Sequence, residues 1–212
     1  MSGRQKKMLR TYGQRGMALV FTLCLLLLIL LLGVSAAQMA LLGEKAARGE
    51  RDRHIAFHAA EEALMDAERD IEGRPGAPGR SGLFAPDSAA GFAASCGEQP
   101  GLCLPTAEPA PPVWLAMDLD AAAEGAGGAV SYGSFTGAAM QTGQGFLPFR
   151  RPRYLIELLP FHAPGEEAGA PAGAAAPASY LYRVTAIGFG ASEDTQVVLQ
   201  TYYRKQMAEA MP

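Results

Sequence analysis

One stretch near the N-terminus decides the architecture of this chain: QRGMALVFTLCLLLLILLLGVSAAQMALLG, residues 14–43. Its last 27 residues, 17–43, carry no charge. A helix needs about 20 apolar residues to cross a hydrocarbon core of roughly 30 Å, so this run is long enough to span a membrane. Five basic residues and no acidic ones precede it, namely Arg4, Lys6, Lys7, Arg10 and Arg15. This flank predicts a single-pass protein with a cytoplasmic N-terminus.

The residues alone leave three interpretations of the apolar run open. A cleaved secretory signal would have its hydrophobic region at residues 19–32 and would be cut within residues 34–37. An uncleaved anchor would keep the whole run. A short leader ending at Gly16 would be removed before the run, so the mature protein would keep its membrane helix.

Residues 44–72 continue the helical pattern but become amphipathic. Apolar residues recur at spacings of three and four and form one stripe: Ala56, Ala60, Ala63, Leu64, Ala67 and Ile71. Most charged residues of this segment, Asp66 among them, are predicted to lie on other faces of the helix. Glycine and proline at 73–76 predict its end. We therefore expect one helix over residues 17–71, roughly 80 Å long.

Several motifs resemble a known family. Residues 14–20, QRGMALV, are similar to the leader junction of type IV prepilins, which prepilin peptidase cuts after the glycine. A longer pattern resembles the PilX-type minor pilins of type IV pilus assembly: EKAARG at 44–49, DR at 52–53 and AFHAAE at 56–61. Residues 182–203 are similar to the end of that family. The resemblance covers residues 14–72 and 150–204.

The resemblance implies a processing site at the start of the apolar run. Gly16 would precede the cut, and Met17 would become the mature N-terminal residue and the candidate for N-methylation. Major pilins have a glutamate at the fifth mature position, where this chain has Phe21. A pilin glutamate there is thought to pair with the N-terminal amine of a neighbouring subunit. Without it, we expect this subunit to lie at or near the pilus tip, in an initiation complex; docking by packing alone is the alternative.

The resemblance also implies partners and a location. The partners would be prepilin peptidase, other minor pilins, the major pilin and a tip-associated adhesin, with roles in cell adhesion and twitching motility. The protein would wait in the inner membrane with its C-terminal domain in the periplasm and then enter the pilus fibre. Two alternatives remain, a tip pseudopilin of a type II secretion system and a bitopic or secreted periplasmic protein without a filament role.

Charge and cysteine content favour an extracytoplasmic domain. Without the five basic residues of the leader, 13 of the 18 basic residues face 21 acidic ones, a net charge of −8. Such a balance gives no electrostatic footprint for nucleic acid. Cys96 and Cys103 lie in a glycine- and proline-rich segment and predict a disulfide in an oxidising compartment. Cys24 lies within the apolar run and is interpreted as an inert thiol.

The second half of the chain predicts a small antiparallel sheet. Strand candidates rich in Val, Ile, Leu, Tyr and Thr occupy residues 153–159, 180–189 and 195–203, with a hairpin turn at 188–194 and a low-complexity insert at 163–179. Three such strands need a cover for their apolar face, and the amphipathic helix is the natural one. The expected fold is therefore α+β and pilin-like. Trp114, the single tryptophan, is interpreted as a core anchor.

The predicted divisions of the chain are a leader at 1–16, a membrane or filament-core helix half at 17–43, an amphipathic helix half at 44–72, a Gly/Pro-rich loop region with the disulfide at 73–149, and an antiparallel sheet at 150–212. We expect no catalytic residues, no metal and no cofactor. His54 and His58 have a ligand-like spacing of four, but they lack the adjacent glutamate of a His-Glu-x-x-His zinc site. A solvated or subunit-facing helix surface is the interpretation for both.

Overall fold

The computed structural model describes residues 15–73, 76, 79–94, 96–120, 128–143, 145–161 and 179–205. Helix α1, Arg15–Glu72, is 58 residues long and begins and ends within two residues of its predicted bounds. The chain divides into two compact units, Met1–Gly49 and Glu50–Pro212. Nearly all of the predicted leader and of the low-complexity insert lies outside the described residues.

In the N-terminal unit, α1 is long and apolar enough to cross a membrane. Every residue from 16 to 49 is exposed. Two hydroxyl groups in the apolar run donate to carbonyl oxygens of the same helix, from Thr22 to Leu19 and from Ser35 to Leu31, each at 2.9 Å. Because hydrocarbon offers polar groups no partners, this internal pairing suits a lipid environment.

The C-terminal unit is built on a mixed sheet of five strands. They are β1 (Leu102–Cys103), β2 (Val130–Ser131), β3 (Arg153–Phe161), β4 (Ser179–Phe189) and β5 (Gln196–Tyr203). The order is β1-β3-β4-β5, with β2 also paired to β3. Strands β3 to β5 are antiparallel neighbours at the predicted positions, whereas β1 runs parallel to β3. The three predicted strands therefore form the expected antiparallel sheet, β1 adds one parallel pairing to it, and the α+β, pilin-like fold class is confirmed.

The amphipathic part of α1 covers one face of this sheet with its alanines. Ala56, Ala60, Ala63 and Ala67 have no exposed surface. Ala63 and Ala67 form the main core with apolar side chains of β3 and β4: Tyr154, Ile156, Leu158, Tyr182, Val184 and Ala186 are among its members. Gly188 of β4 allows the closest approach, because a Cβ atom there would lie 2.1 Å from the carbonyl oxygen of Ala56.

A second, smaller core covers the opposite face of the sheet. Leu155, Ile187 and Phe189 pack there with Leu119. The short helix α2, Val113–Ala116, contributes Trp114, which packs against this cluster and so occupies the anchoring position predicted for it. Next to it, Val113 packs with the disulfide between Cys96 and Cys103.

Candidate assembly surfaces

The residues of the predicted processing site lie in the first turns of α1. The helix begins at Arg15, and a Cβ atom at Gly16 would meet nothing within 4 Å. Met17 and Phe21 expose 76% and 68% of their surfaces. The structure therefore presents the Gly16–Met17 junction and the fifth mature position on an open helix surface. Whether the junction is cut and methylated stays a prediction.

The exposed apolar side chains of residues 17–42 form the first candidate surface. Leucines dominate it, with exposed fractions from 46% at Leu25 to 69% at Leu32. The small residues Gly33, Ser35, Ala36, Ala37 and Ala40 follow on the same helix. In lipid, helices associate through close packing at small residues rather than through the hydrophobic effect. This segment therefore has the composition of a membrane-spanning and helix-packing element.

In the C-terminal unit, three aspartates of α1 hold separate loops against the helix. The carboxylate of Asp52 accepts hydrogen bonds from the backbone N–H groups of Ala191 and Ser192, at 2.5 and 3.1 Å, in the β4–β5 turn. Burial would raise the pKa of Asp52, but hydrogen bonds from Thr195, Ser192 and Ala191 outweigh it and hold the pKa below its usual value. The turn is thus fixed by an ionised carboxylate.

Asp66 holds the loop after β2. Its carboxylate accepts a hydrogen bond from the N–H of Gly133 at 2.7 Å and another from the hydroxyl of Thr136. Asp66 has no exposed surface, so the expectation that it lies away from the buried stripe is wrong. The physical reason is that its charge is solvated by donors of the loop instead of by water.

Asp70 makes a buried ion pair with Arg80. The guanidinium of Arg80 donates to it at 2.8 and 3.0 Å, and the hydroxyl of Tyr154 donates at 3.0 Å. Burial raises the pKa of Asp70, and the bonds from Arg80 and Tyr154 oppose this without cancelling it. Burial also raises the pKa of Tyr154 well above its usual value. These contacts join α1, the segment after it and β3.

The end of α1 is held by the end of the sheet. The hydroxyl of Tyr203 donates to Glu72 at 2.6 Å, and this bond raises the pKa of Tyr203 to about 12. The ammonium of Lys205 donates to the carbonyl oxygens of Ile71 at 2.8 Å and Ser81 at 3.1 Å. A helix leaves its last carbonyls without partners, and a lysine here supplies both a donor and a favourable charge.

His54 and His58 lie on the exposed face of α1. The Nδ1 atom of His58 lies 2.9 Å from Glu61, and the Nε2 atom of His54 lies 3.4 Å from Glu50. Among the described residues, no group of three or more His, Cys, Asp or Glu side chains could hold a metal ion. A hollow of about 580 Å³ lies beside His58, between the acidic face of α1 and Thr201 of β5. This face is available to a neighbouring chain.

Sequence reasoning missed three features of the C-terminal unit. The contact of Gly188 with α1 and the roles of Asp66 and Asp70 depend on segments far apart in the chain. A glycine inside an otherwise apolar strand was the one available signal for a close approach. The exposed aromatic residues at 146 and 149 were readable in the sequence but carry no periodic pattern.

Comparison with known families gives two matches. A model described as the PilX N-terminal region matches residues 15–64, and one described as the C-terminal region of the type IV pilus assembly protein PilX matches residues 98–205. No curated protein and no solved structure matches the chain. The second match alone covers half of the chain, and the two together include α1 through residue 64 and every strand.

Proposed function

We propose that this chain, which belongs to the PilX family of type IV pilus assembly proteins, acts as a minor pilin at or near the pilus tip. The proposal rests on one observation: an exposed, uncharged helix segment follows Gly16 and carries Phe21 where a major pilin carries glutamate. Prepilin peptidase removes residues 1–16, and Met17 becomes the methylated N-terminus. The mature chain then waits in the inner membrane with its domain in the periplasm.

The apolar surface of residues 17–42 supports membrane storage followed by filament entry. Its leucines are exposed in the single chain, and burying one such side chain gains about 1.5–3 kcal/mol. Lipid provides that cover before assembly, and the apolar helices of neighbouring pilins provide it within a fibre. The same surface is therefore buried in both states. The free energy gained when the helix moves from lipid into the fibre comes from close packing at the small residues.

Phe21 supports the tip position. A carboxylate in hydrocarbon is costly, so a pilin that carries one has reason to pair it with the amine of an adjacent subunit. A chain with phenylalanine at this position neither bears that cost nor offers that pairing to a subunit ahead of it. It is best suited to a place where no earlier subunit must be engaged. The domain contributes surfaces for other minor pilins, the major pilin and a tip adhesin, in a structural rather than a catalytic role.

The mature N-terminus tests the processing step. We expect mass spectrometry of the protein from native membranes to find a chain that begins at Met17 and carries one methyl group. Gly16→Val should leave the leader attached, whereas Gly33→Val, also in an open helical position, should not affect cleavage. A mature chain that begins at Ala37 or Gln38 would show a secreted protein instead, and an intact Met1 with active peptidase would show an ordinary anchor.

Phe21→Glu tests the tip position. The added carboxylate should let the subunit be incorporated along the fibre, so that cross-linking finds it among major pilins, or else should reduce the number of pili. Leu25→Glu, one turn further, places the charge where no N-terminal amine is offered and should only weaken membrane insertion. Unchanged pilus number together with an unchanged location of the subunit would refute the tip assignment.

A further inference from the structure

The structure presents a second apolar surface, in the C-terminal unit, that the family role does not use. It is formed by residues 145–149, GFLPF, which we name the aromatic loop. Phe146 exposes 69% of its surface, Phe149 40% and Leu147 37%. Single exposed apolar residues are ordinary on protein surfaces, but three within four positions form a patch that calls for a partner.

Backbone hydrogen bonds fix the conformation of the aromatic loop. The N–H of Gly143 donates to the carbonyl oxygen of Pro148 at 2.9 Å and closes the loop, and the N–H of Phe149 donates to Gly190 at 2.6 Å. Gly145 has φ +66, a conformation that L side chains rarely adopt. The loop therefore presents its phenylalanines in a fixed position, and ordering them costs little when a partner binds.

Helix α1 contacts the loop through a cation, Arg51, and borders an apolar groove beside it. The guanidinium of Arg51 lies over the ring of Phe146, 4.4 Å from its centroid. A groove of about 310 Å³ lies between α1 and the loop region, lined on the helix by Ile55, Ala59 and Glu62 and on the loop side by Leu147. Arg151, just beyond the loop, is also exposed. Phenylalanine and leucine flanked by arginines are the residues that bury in a membrane interface and attract anionic headgroups.

The length of the chain places this surface near a bilayer. Arg51 follows the last residue of the uncharged run by eight positions. Eight residues reach about 12 Å as a helix and about 28 Å when fully extended. The headgroup layer on each side of a bilayer is about 5–8 Å thick. With residues 17–43 inserted, Arg51 and the loop against it stay within reach of the lipid surface.

We propose that the aromatic loop docks on the phospholipid interface while the chain is anchored in the membrane. Phe146 and Phe149 enter the boundary between headgroups and acyl chains, and Arg51 and Arg151 face the anionic headgroups. Docking holds the C-terminal unit against the membrane before assembly, and extraction of the helix releases it. Docking itself requires only the membrane anchor, whereas its release by extraction rests on the proposed pilus role.

A single tryptophan in the loop tests the docking. In the background Trp114→Phe, Phe146→Trp places the only indole in the aromatic loop, and Tyr202→Trp gives a control of similar exposure on β5. Tyr202 precedes Tyr203, which bonds to Glu72, so the control lies 21 residues along α1 from Arg51, about 30 Å. Both full-length proteins are placed in liposomes of phosphatidylcholine brominated at shallow or deep acyl positions, with or without phosphatidylglycerol.

We expect several-fold stronger quenching at position 146 than at position 202. The shallow bromines should quench more than the deep ones, because interfacial side chains bury only about 5–10 Å. Phosphatidylglycerol should increase the quenching at position 146 when Arg51 is present, and should increase it less in the further variant Arg51→Gln. Flotation of the protein with the liposomes measures membrane anchoring separately. A chain that does not float lacks the anchor on which docking depends, and this result overturns the proposal.

Equal quenching at the two positions, or none at position 146 in a chain that floats, overturns the proposal. If the tryptophan emission at position 146 shifts only in pilus fibres sheared from cells, the loop contacts protein rather than lipid. This result also overturns the proposal. Hydrogen exchange of the unmodified chain gives an independent measurement: the amides of Phe146 and Leu147 should be more protected in liposomes than in detergent micelles, and unchanged exchange would contradict docking.

Discussion

Adding one methyl group at Gly188 tests whether the alanine face of α1 lies directly on strand β4. A Cβ atom there would lie 2.1 Å from the carbonyl oxygen of Ala56 and 2.3 Å from the nitrogen of Ala60, whereas ordinary contacts begin near 3.4 Å. Both obstructing atoms belong to the backbone, so no side-chain rotation can relieve the overlap. In Gly188→Ala the helix must therefore withdraw from the sheet by about 1 Å.

The cost follows from how much packing this withdrawal removes. A gap of 0.5–1 Å already forfeits about a quarter to a half of the attraction of each atom pair across it. The gap would open along four buried alanines of α1 that now meet the sheet: Ala56, Ala60, Ala63 and Ala67. Overpacking of a core costs typically about 1–3 kcal/mol. Because backbone blocks the methyl group on two sides, we expect Gly188→Ala to lose about 3 kcal/mol, the upper part of that range.

Urea unfolding of the full chain in detergent micelles measures this loss. Trp114 is the only tryptophan, and it packs on the opposite face of the sheet, so its fluorescence reports the whole unit. Gly82→Ala is the matched control, because a Cβ atom at Gly82 meets nothing within 4 Å. The control should stay within about 0.5 kcal/mol of the parent. A Gly188→Ala loss below about 1 kcal/mol would refute direct packing of helix on strand.

Three further changes test the remaining supports by the same unfolding assay. Asp70→Asn leaves Arg80 buried without its counter-charge and should cost about 3–5 kcal/mol at pH 7; because the folded pKa of Asp70 is raised, the parent gains stability as pH falls through that pKa, so the loss should be larger in acid, and a loss that shrinks in acid would contradict the raised pKa of Asp70. Asp52→Asn should remove stability that the parent has at pH values above the unfolded pKa of Asp52, near 3.9, and loses as pH falls through the lowered folded pKa. The unfolding free energies of parent and variant should therefore converge in acid. A difference that stays constant with pH would argue against an ionised Asp52. Replacing Cys96 and Cys103 together by serine opens a short loop and should cost about 2.5 kcal/mol; reducing agent should then no longer affect stability, and a residual effect would show that the disulfide is not the cause.

The long elements could be predicted because their patterns are local. Apolar spacing set α1 to within two residues, and β3, β4 and β5 form where branched and aromatic residues cluster between turn residues. The antiparallel pairing of β4 with β5 also followed from the sequence, because a short turn joins them, whereas the long insert between β3 and β4 left the place of β3 in the sheet open. The stripe of alanines correctly predicted which face of α1 packs against the sheet.

The parts that escaped prediction depend on contacts between distant segments. Strands β1 and β2 have two residues each, too few to show any alternation, and they form only because β3 offers them an edge. Asp66 was expected on an open face because its position on the helical wheel lies off the apolar stripe. Its partners at Gly133 and Thr136 lie in another part of the chain, about 70 positions later. Composition cannot reveal such partners.

The packing of α1 in the C-terminal unit limits how that half of the helix can meet other subunits. Its small-residue face is already used against its own sheet at Gly188, so close helix-to-helix packing of the kind open to residues 17–43 is closed to it. What it still offers is the opposite face, where Glu61 is exposed together with His58 and Met65. Contacts through exposed charges weaken as salt increases, whereas contacts through the apolar run do not. The two halves of one helix therefore bring two kinds of interface to an assembly, one set by packing and one by charge.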